Sequence, residues 1–211
     1  EVSRQSINSF NPFAGDIDPV SAELNTTDLL PALGVVIPTT KSSNLRISAS
    51  KTVARPQLRE LAPFAYVDYF GAREVRGNPD LRRTTIYNGD LRFELFPTPS
   101  EVVAVSVFFK HFVDPIEQIV IPTSRGIVSY QNAKAARNAG AELEVRKSLD
   151  LLSPALRDFS FLGNLTLVAS RVEIDTESAQ NTVQTNATRP LAGQSPFVVN
   201  VGADYANEGS G

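Results

Sequence analysis

The sequence of 211 residues has no cysteine, no methionine, no tryptophan and a single histidine, His111. The missing cysteines exclude disulfide frameworks, iron–sulfur ligation, thiolate metal sites and cysteine nucleophiles. One histidine leaves no pair for zinc and only one possible imidazole base, so we expect no enzyme activity, no metal site and no cofactor. Because even an initiating methionine is absent, we expect that the sequence is not a whole open reading frame but a processed chain, a trimmed piece or a fragment.

The sequence also lacks a strong charge of one sign and lacks long hydrophobic runs. Its formal net charge of −3 does not suggest a nucleic-acid partner. A membrane-spanning helix needs about 20 consecutive apolar residues, and the apolar runs here are far shorter. A transmembrane β-barrel has no such run because its strands alternate, so that class stays open although only 42% of the residues are hydrophobic.

Apolar residues recur at every second position in many short windows, which is the pattern of strands with two different faces. Seven windows show it clearly: Leu33–Ile37, Leu45–Ala49, Leu91–Leu95, Val103–Phe109, Ala141–Val145, Phe159–Leu167 and Phe197–Tyr205. Val2–Ile7 is an eighth candidate, and a short helical turn is possible near Gln57–Ala62. The sequence therefore predicts an all-β protein of seven or eight strands.

Short and long connections alternate along the chain. The short ones are Thr39–Asn44, Pro97–Glu101 and Ser148–Arg157, and the long ones are Asn8–Asp28, Val53–Arg83, Asp114–Tyr130 and Glu173–Pro196. Outer-membrane barrels have short periplasmic turns and long extracellular loops, so we predict an antiparallel up-and-down transmembrane barrel wall. A soluble all-β carbohydrate- or ligand-binding module is the alternative, because a sandwich also permits one polar face.

One face of these strands is apolar and the other carries charges in mid-strand. The predicted polar row, which would face the lumen of a barrel, is Arg46, Asp90, Arg92, Glu94, Lys110, Glu142, Glu144 and Arg146. Opposite charges on neighbouring strands can pair, and we expect Arg92 and Arg146 to neutralise the glutamates of one strand. The row has two interpretations, a solvated interior face or a surface that contacts a plug and controls the lumen. His111, flanked by phenylalanines at a strand end, suggests an interfacial aromatic belt.

Five segments, in order, resemble the C-terminal barrel region of TonB-dependent outer-membrane receptors. They are Leu45–Phe64 (LRISASKTVARPQLRELAPF), Gly77–Leu81 with Asn88–Glu94, Ser106–Lys110 with Asp114–Glu117, Asn132–Ala133 with Gly140–Glu144, and Arg189–Pro196 with Asn200. The motif residues to which we assign structural roles are Arg55, Pro56, Glu60, Pro63, Asn78, Pro79, Gly193, Gln194 and Pro196. Proline at a strand end stops ladder pairing, and glycine and asparagine favour turns.

The resemblance implies that residues 1–211 are part of one barrel domain of about 22 strands, the size class of plugged transporters. Residues 31–206 match as strands and loops, whereas residues 1–30 match weakly. The implied location is the outer membrane of a Gram-negative bacterium, with lipid, a plug domain and an inner-membrane TonB complex as partners. The implied function is energised uptake of a siderophore, cobalamin or glycan. A plug and a TonB box are absent from this sequence, so we interpret it as an internal segment of such a receptor.

Overall fold

Seven long antiparallel strands form a continuous sheet in the computed structural model, which describes residues 1–9, 20–62, 64–67, 72–124, 126–174 and 188–206. These seven strands are β3 (Ala32–Thr40), β4 (Ser43–Ala54), β7 (Thr84–Leu95), β8 (Val102–Val113), β11 (Ala135–Ser148), β12 (Phe159–Glu173) and β14 (Phe197–Tyr205). Their order across the sheet is β3–β4–β7–β8–β11–β12–β14, and each pair is antiparallel. We call this sheet the wall.

All seven clear alternating windows of the sequence fall inside these strands, and Val2–Ile7 falls inside β1 (Val2–Ser9). Wall strands are 9 to 15 residues long, and the longest are β11 with 14 residues and β12 with 15. At about 3.3 Å per residue, every strand is long enough to cross a hydrocarbon layer at a barrel tilt.

The connections separate into two ends of the wall. At one end, two residues join β3 to β4, residues 96–101 join β7 to β8, and two short 3₁₀ turns, Leu149–Leu151 and Pro154–Leu156, join β11 to β12. At the other end lie the described parts of the connections 55–83, 114–134 and 174–196. The predicted alternation of short and long connections is therefore confirmed. By the same alternation a short turn would follow β14 at residues 207–211, which lie outside the described residues.

The long connections contain more regular structure than a loop assignment predicts. β2 (Val20–Thr27) pairs with β1 as a separate hairpin inside the connection expected to be a loop. In a second hairpin, β9 (Ile116–Ile121) pairs with β10 (Ile127–Asn132). β10 also pairs with the short strand β6 (Val75–Arg76), which in turn pairs with β5 (Ala65–Tyr66). The predicted helical turn is α1 (Leu58–Leu61). In the described residues no helix has the length and apolarity to span a membrane.

The two clusters of buried apolar side chains lie at the long-loop end of the wall. One cluster joins Ala133, Ala136, Val172 and Ile174, and another joins Ala22, Leu61 and Leu81. In mid-wall, large apolar side chains are open instead: Val105 is 49% exposed and Leu143 is 41% exposed. The wall is therefore a single layer whose apolar face is not covered by any other described element.

Candidate functional site: the polar face of the wall and the loop cluster

Strand register places all eight residues of the predicted polar row on one face of the wall. Arg46 lies opposite Arg92, Arg92 opposite Ser106, and Ser106 opposite Glu142. One row further toward the short turns, Ala104 lies opposite both Glu94 and Glu144. The remaining members, Asp90, Lys110 and Arg146, share the face because side chains two residues apart along a strand point the same way.

A chain of ion pairs crosses this face. The Arg46 Nε lies 2.7 Å from Glu94 Oε2, and the Arg92 Nε lies 2.9 Å from Glu94 Oε1. The Arg92 Nη2 also reaches Glu144 Oε2 at 2.6 Å, and its Nη1 donates to Ser106 Oγ at 3.3 Å. Arg92 thus joins strands β7, β8 and β11 through polar contacts, and Glu94 extends the chain to β4.

The other members of the row have weaker or no polar partners. Asp90 accepts a hydrogen bond from Ser48 at 3.3 Å, and Glu142 accepts one from the side-chain amide of Asn164. Arg92 pairs with Glu144 as expected, but Arg146, expected to share that role, has no ion pair in the described part of the chain. In the register of β11 with β12, Arg146 lies directly opposite Leu162, which has no charge to pair with it.

The opposite face of the wall is apolar along its middle. Side chains directly opposite one another there include Leu45, Phe93, Val105, Leu143 and Leu165, each from a different strand. Exposure ranges from 36% for Leu165 to 49% for Val105 among the larger ones. An exposed apolar surface of this extent is unfavourable in water and favourable in hydrocarbon.

At the long-loop end, α1, the Gly77–Asn78 segment and the β9–β10 hairpin contact one another, and we call this assembly the loop cluster. Glu60 lies in α1, the first part of the cluster along the chain. The Glu60 carboxylate accepts a hydrogen bond from the Gln57 backbone N–H at 2.8 Å, which is half of a capping box for α1. Leu61 and Pro56 are fully buried beside this turn. Pro63, another motif residue, lies outside the described residues. Glu60 and Pro56 therefore stabilise the turn of the loop that follows β4.

The glycine–asparagine–proline segment docks onto this turn. A Cβ atom at Gly77 would lie 2.3 Å from the Ala62 carbonyl oxygen, so only glycine fits this approach. The Asn78 N–H donates to the Glu60 carbonyl at 2.6 Å, and its side-chain amide donates to the Tyr130 carbonyl at 2.9 Å. Pro79 follows in a turn and is half-buried. Asn78 therefore joins the α1 turn to the β9–β10 hairpin.

A buried carboxylate that the sequence did not single out connects the same cluster to the wall. Asp28 has a fully buried side chain, with Arg83 Nη2 2.6 Å away and Arg55 Nη2 3.7 Å away. Neither oxygen has hydrogen-bond geometry with these guanidinium groups, so the attraction is mainly coulombic. Asp28 ends a predicted loop, and no local pattern marks it. Its partners are 27 and 55 residues away, so only the fold reveals the site.

The last motif carries the chain back into β14. Gly193 has φ of 74°, and the Gln194 N–H donates to the Leu191 carbonyl at 3.2 Å, which closes a tight turn. The Gln194 side chain accepts a hydrogen bond from Asn138 at 3.4 Å, and the Pro196 carbonyl accepts one from Val168 at 2.9 Å. These contacts position the returning segment over β11 and β12.

A second ion pair that the sequence did not suggest links the β9–β10 hairpin to β13 (Thr188–Arg189). Arg189 Nη2 lies 2.6 Å from the buried Glu117 carboxylate. Burial raises the pKa of Glu117, and the charge of Arg189 opposes that increase. The described residues contain no group of three or more histidine, aspartate or glutamate side chains that could hold a metal ion. Packing, the hydrogen bond from Asn78 and the Arg189–Glu117 ion pair hold the cluster together.

An antiparallel up-and-down wall with one apolar face, one charged face, short turns at one end and long loops at the other defines a transmembrane β-barrel wall. The model of the family described as TonB dependent receptor-like, beta-barrel matches residues 2–211. The chain belongs to this family. Its members are receptors and transporters, so the prediction that the chain is not an enzyme is confirmed.

Solved structures show the same fold at low sequence identity. A double mutant of the Serratia marcescens hemophore receptor HasR, in complex with its hemophore HasA and heme, is 15% identical, with a TM-score of 0.60 over 98% of this chain and 35% of that chain. A mutant of the Pseudomonas aeruginosa ferric enterobactin receptor PfeA, in complex with enterobactin, is 16% identical, with a TM-score of 0.58 over 88% and 27%.

The siderophore receptor PirA of Pseudomonas aeruginosa is 17% identical, with a TM-score of 0.56 over 73% of this chain and 32% of that chain. No curated protein matches the sequence. This chain covers about a third or less of the length of these solved receptors. The similarity therefore shows the fold of a barrel segment.

Proposed function

We propose that this chain forms part of the wall of an outer-membrane receptor for TonB-energised uptake of a scarce nutrient in a Gram-negative bacterium. The observation that carries the proposal is the family match over residues 2–211, combined with a wall that has one apolar and one charged face. Among the siderophore, cobalamin and glycan classes, we favour a siderophore-type ligand, because two of the three similar structures above are of siderophore receptors.

In this proposal the apolar face contacts outer-membrane lipid. Burying apolar surface contributes about 25 cal/mol per Å², so an uncovered row of Leu, Val, Ile and Phe side chains across seven strands strongly favours hydrocarbon over water. A soluble carbohydrate- or ligand-binding module would need a second layer over this face, and no described element provides one. The membrane interpretation therefore accounts for the exposed face, and the soluble alternative does not.

The charged face then lines the lumen. The ion pairs that join Arg46, Glu94, Arg92 and Glu144 hold neighbouring strands in register, so we assign the row a shared role in wall assembly and in contact with a plug domain. No described ion pair of the wall neutralises the charges of three other members of the row, Arg146, Lys110 and Glu142. Those groups are available to a plug surface or to water in the lumen.

Ligand contact is assigned to the long connections, 53–83, 114–130 and 173–196. The loop cluster places α1, the Gly77–Asn78 segment and the β9–β10 hairpin together at one end of the wall, on the side where family members have extracellular loops. The hydrogen bonds and buried pairs of this cluster would fix the loops before a ligand arrives, which reduces the entropic cost of binding.

The test is uptake by cells that carry or lack the full-length protein containing this chain. Under iron limitation, we expect deletion to abolish growth on one iron–siderophore source, and reintroduction of the gene to restore it. The same growth should be lost when the inner-membrane TonB partner is deleted. Normal growth of the deletion strain on every iron chelate, cobalamin and glycan tested would overturn the uptake proposal. Growth that needs the protein but not TonB would overturn the energisation proposal.

A further inference from the structure

The apolar face of the wall carries a row of basic and aromatic side chains at its long-loop end. Strand register aligns five residues directly across five adjacent strands: Lys51 in β4, Tyr87 in β7, His111 in β8, Arg137 in β11 and Arg171 in β12. We call these five residues the basic row. Neighbouring strands lie about 4.8 Å apart, so the row extends about 19 Å along the rim of the wall.

The basic row differs from the rest of this face, which is mostly apolar. Toward the short turns the face is apolar until Lys147, near the opposite end of the wall, and Lys147 pairs with Glu101 at 2.6 Å. Lys51, Arg137 and Arg171, by contrast, have no ion pair or hydrogen bond from their side chains in the described part of the chain. The one acidic side chain of this face in the described wall strands, Glu173, lies one row further out.

The adjacent row on the same face, toward the short turns, has mostly small side chains. It consists of Ala49, Gly89, Phe109, Ala139 and Ala169, also in direct cross-strand register. A Cβ atom at Gly89 would meet nothing within 4 Å, which shows that the surface there is open. Small side chains leave room beside Phe109 for an acyl chain or a sugar ring directly under the positive charges.

We infer that the basic row binds the phosphate groups of a phosphorylated glycolipid in the outer leaflet, of the lipid A type. The positive charges of the lysine and the two arginines lie in one line with His111 at membrane-interface depth, while the face on the short-turn side of them is hydrocarbon-like. Guanidinium groups bind phosphate through paired charge-assisted hydrogen bonds, and Tyr87 adds an amphipathic ring at head-group level. This inference rests on the proposed contact of the apolar face with lipid.

The experiment uses the full-length protein, extracted in detergent and reconstituted into nanodiscs of phosphatidylcholine with a small fraction of lipid A. The bound lipid A is counted by mass spectrometry. We expect the double variant R137Q/R171Q to bind lipid A about 30-fold more weakly, because each basic side chain near an anionic lipid surface contributes about a fivefold factor. The matched control R157Q alters an exposed arginine at the short-turn end and should leave binding unchanged.

Two outcomes would overturn the inference: equal lipid A binding by R137Q/R171Q and the unaltered protein, or equal displacement of lipid A by phosphatidylglycerol, which indicates general attraction to anionic lipid. Heat-modifiable gel mobility of each variant shows whether the barrel is folded. If the proposed lipid contact is itself wrong, spin labels at positions 105 and 143 will report water rather than hydrocarbon. That result is distinct from a folded, lipid-embedded protein that fails to bind lipid A.

Discussion

Arg92 and Glu144 form a 2.6 Å ion pair although they lie on β7 and β11, and β8 passes between those strands. Ala104 of β8 makes this possible. It lies directly opposite Glu144 and is almost completely buried, so its methyl group leaves the guanidinium free to cross the strand. The same guanidinium also holds Glu94 on its own strand. One arginine therefore fixes the relative positions of three strands.

We predict that R92E impairs assembly of the barrel more than it alters ligand choice. The change breaks two ion pairs and places a third carboxylate beside Glu94 and Glu144, at an expected cost of about 1–3 kcal/mol. The measurement is the yield of heat-modifiable, folded full-length protein in outer membranes. R146E on the same face is the control, because no ion pair is lost there. Normal folded yield with an altered substrate preference in uptake would contradict this prediction.

The sequence predicted the wall because strand alternation is local. Each window such as Leu91–Leu95 shows its two faces without knowledge of its neighbours. The pairing of Arg92 with Glu144 could be predicted for the same reason, because alternation alone places both residues on one face. The partner of Glu142, the amide of Asn164, was not predicted, because it depends on the register between β11 and β12.

The two hairpins in the long connections could not be predicted because their pattern is not apolar alternation. In β9, Glu117 and Ile119 are both buried, and the carboxylate is tolerated only because Arg189 reaches it from 72 residues away. Among the described side chains of β2, the one that joins a core cluster is small, Ala22. The basic row could not be predicted for a similar reason, since its members come from five strands and align only through register.

We predict that D28N loosens the loop cluster without unfolding the wall. Asp28 is the buried negative charge between Arg83 and Arg55, and removing one partner of a buried ion pair costs roughly 3 kcal/mol. The expected result is faster hydrogen exchange and earlier proteolysis in residues 20–27 and 55–62, with unchanged heat-modifiable mobility. E23Q is the control, because the Glu23–Arg4 pair is exposed and contributes at most about 1 kcal/mol. Identical exchange in D28N and E23Q would refute the role of Asp28.

We predict that G77A separates the segment around Asn78 from α1. The added methyl group would lie 2.3 Å from the Ala62 carbonyl oxygen and 2.8 Å from the Arg59 carbonyl oxygen, and backbone atoms cannot rotate away. Relieving the overlap should cost about 1–3 kcal/mol and lengthen the hydrogen bond from Asn78 to Glu60. The readout is protease cleavage within 72–83. G34A, where nothing lies within 4 Å, should leave cleavage unchanged. Equal protection of both variants would show that the close approach is not needed.

The pH dependence of stability tests the short-turn end of the wall. Glu101, in the turn before β8, accepts hydrogen bonds from Lys147 Nζ at 2.6 Å and from the Ser148 N–H at 3.1 Å. The hydrogen bond from Lys147 lowers the pKa of Glu101 below its ordinary value of 4.5, burial opposes this shift, and the Ser148 amide adds to it. Since the folded-state pKa is the lower one, the stabilisation is fully present above the ordinary glutamate pKa and is lost as the pH falls through the folded value.

We therefore predict that E101Q is less stable than the unaltered protein at neutral pH, and that the difference shrinks as the solution is acidified below about pH 4.5. The measurement is the urea midpoint of the full-length protein in detergent, recorded for both proteins across that range. D150N, an exposed acid at the same end of the wall, is the control and should follow the unaltered protein. A difference between E101Q and the unaltered protein that stays constant with pH would mean that Glu101 stabilises the turn by packing rather than by its charge.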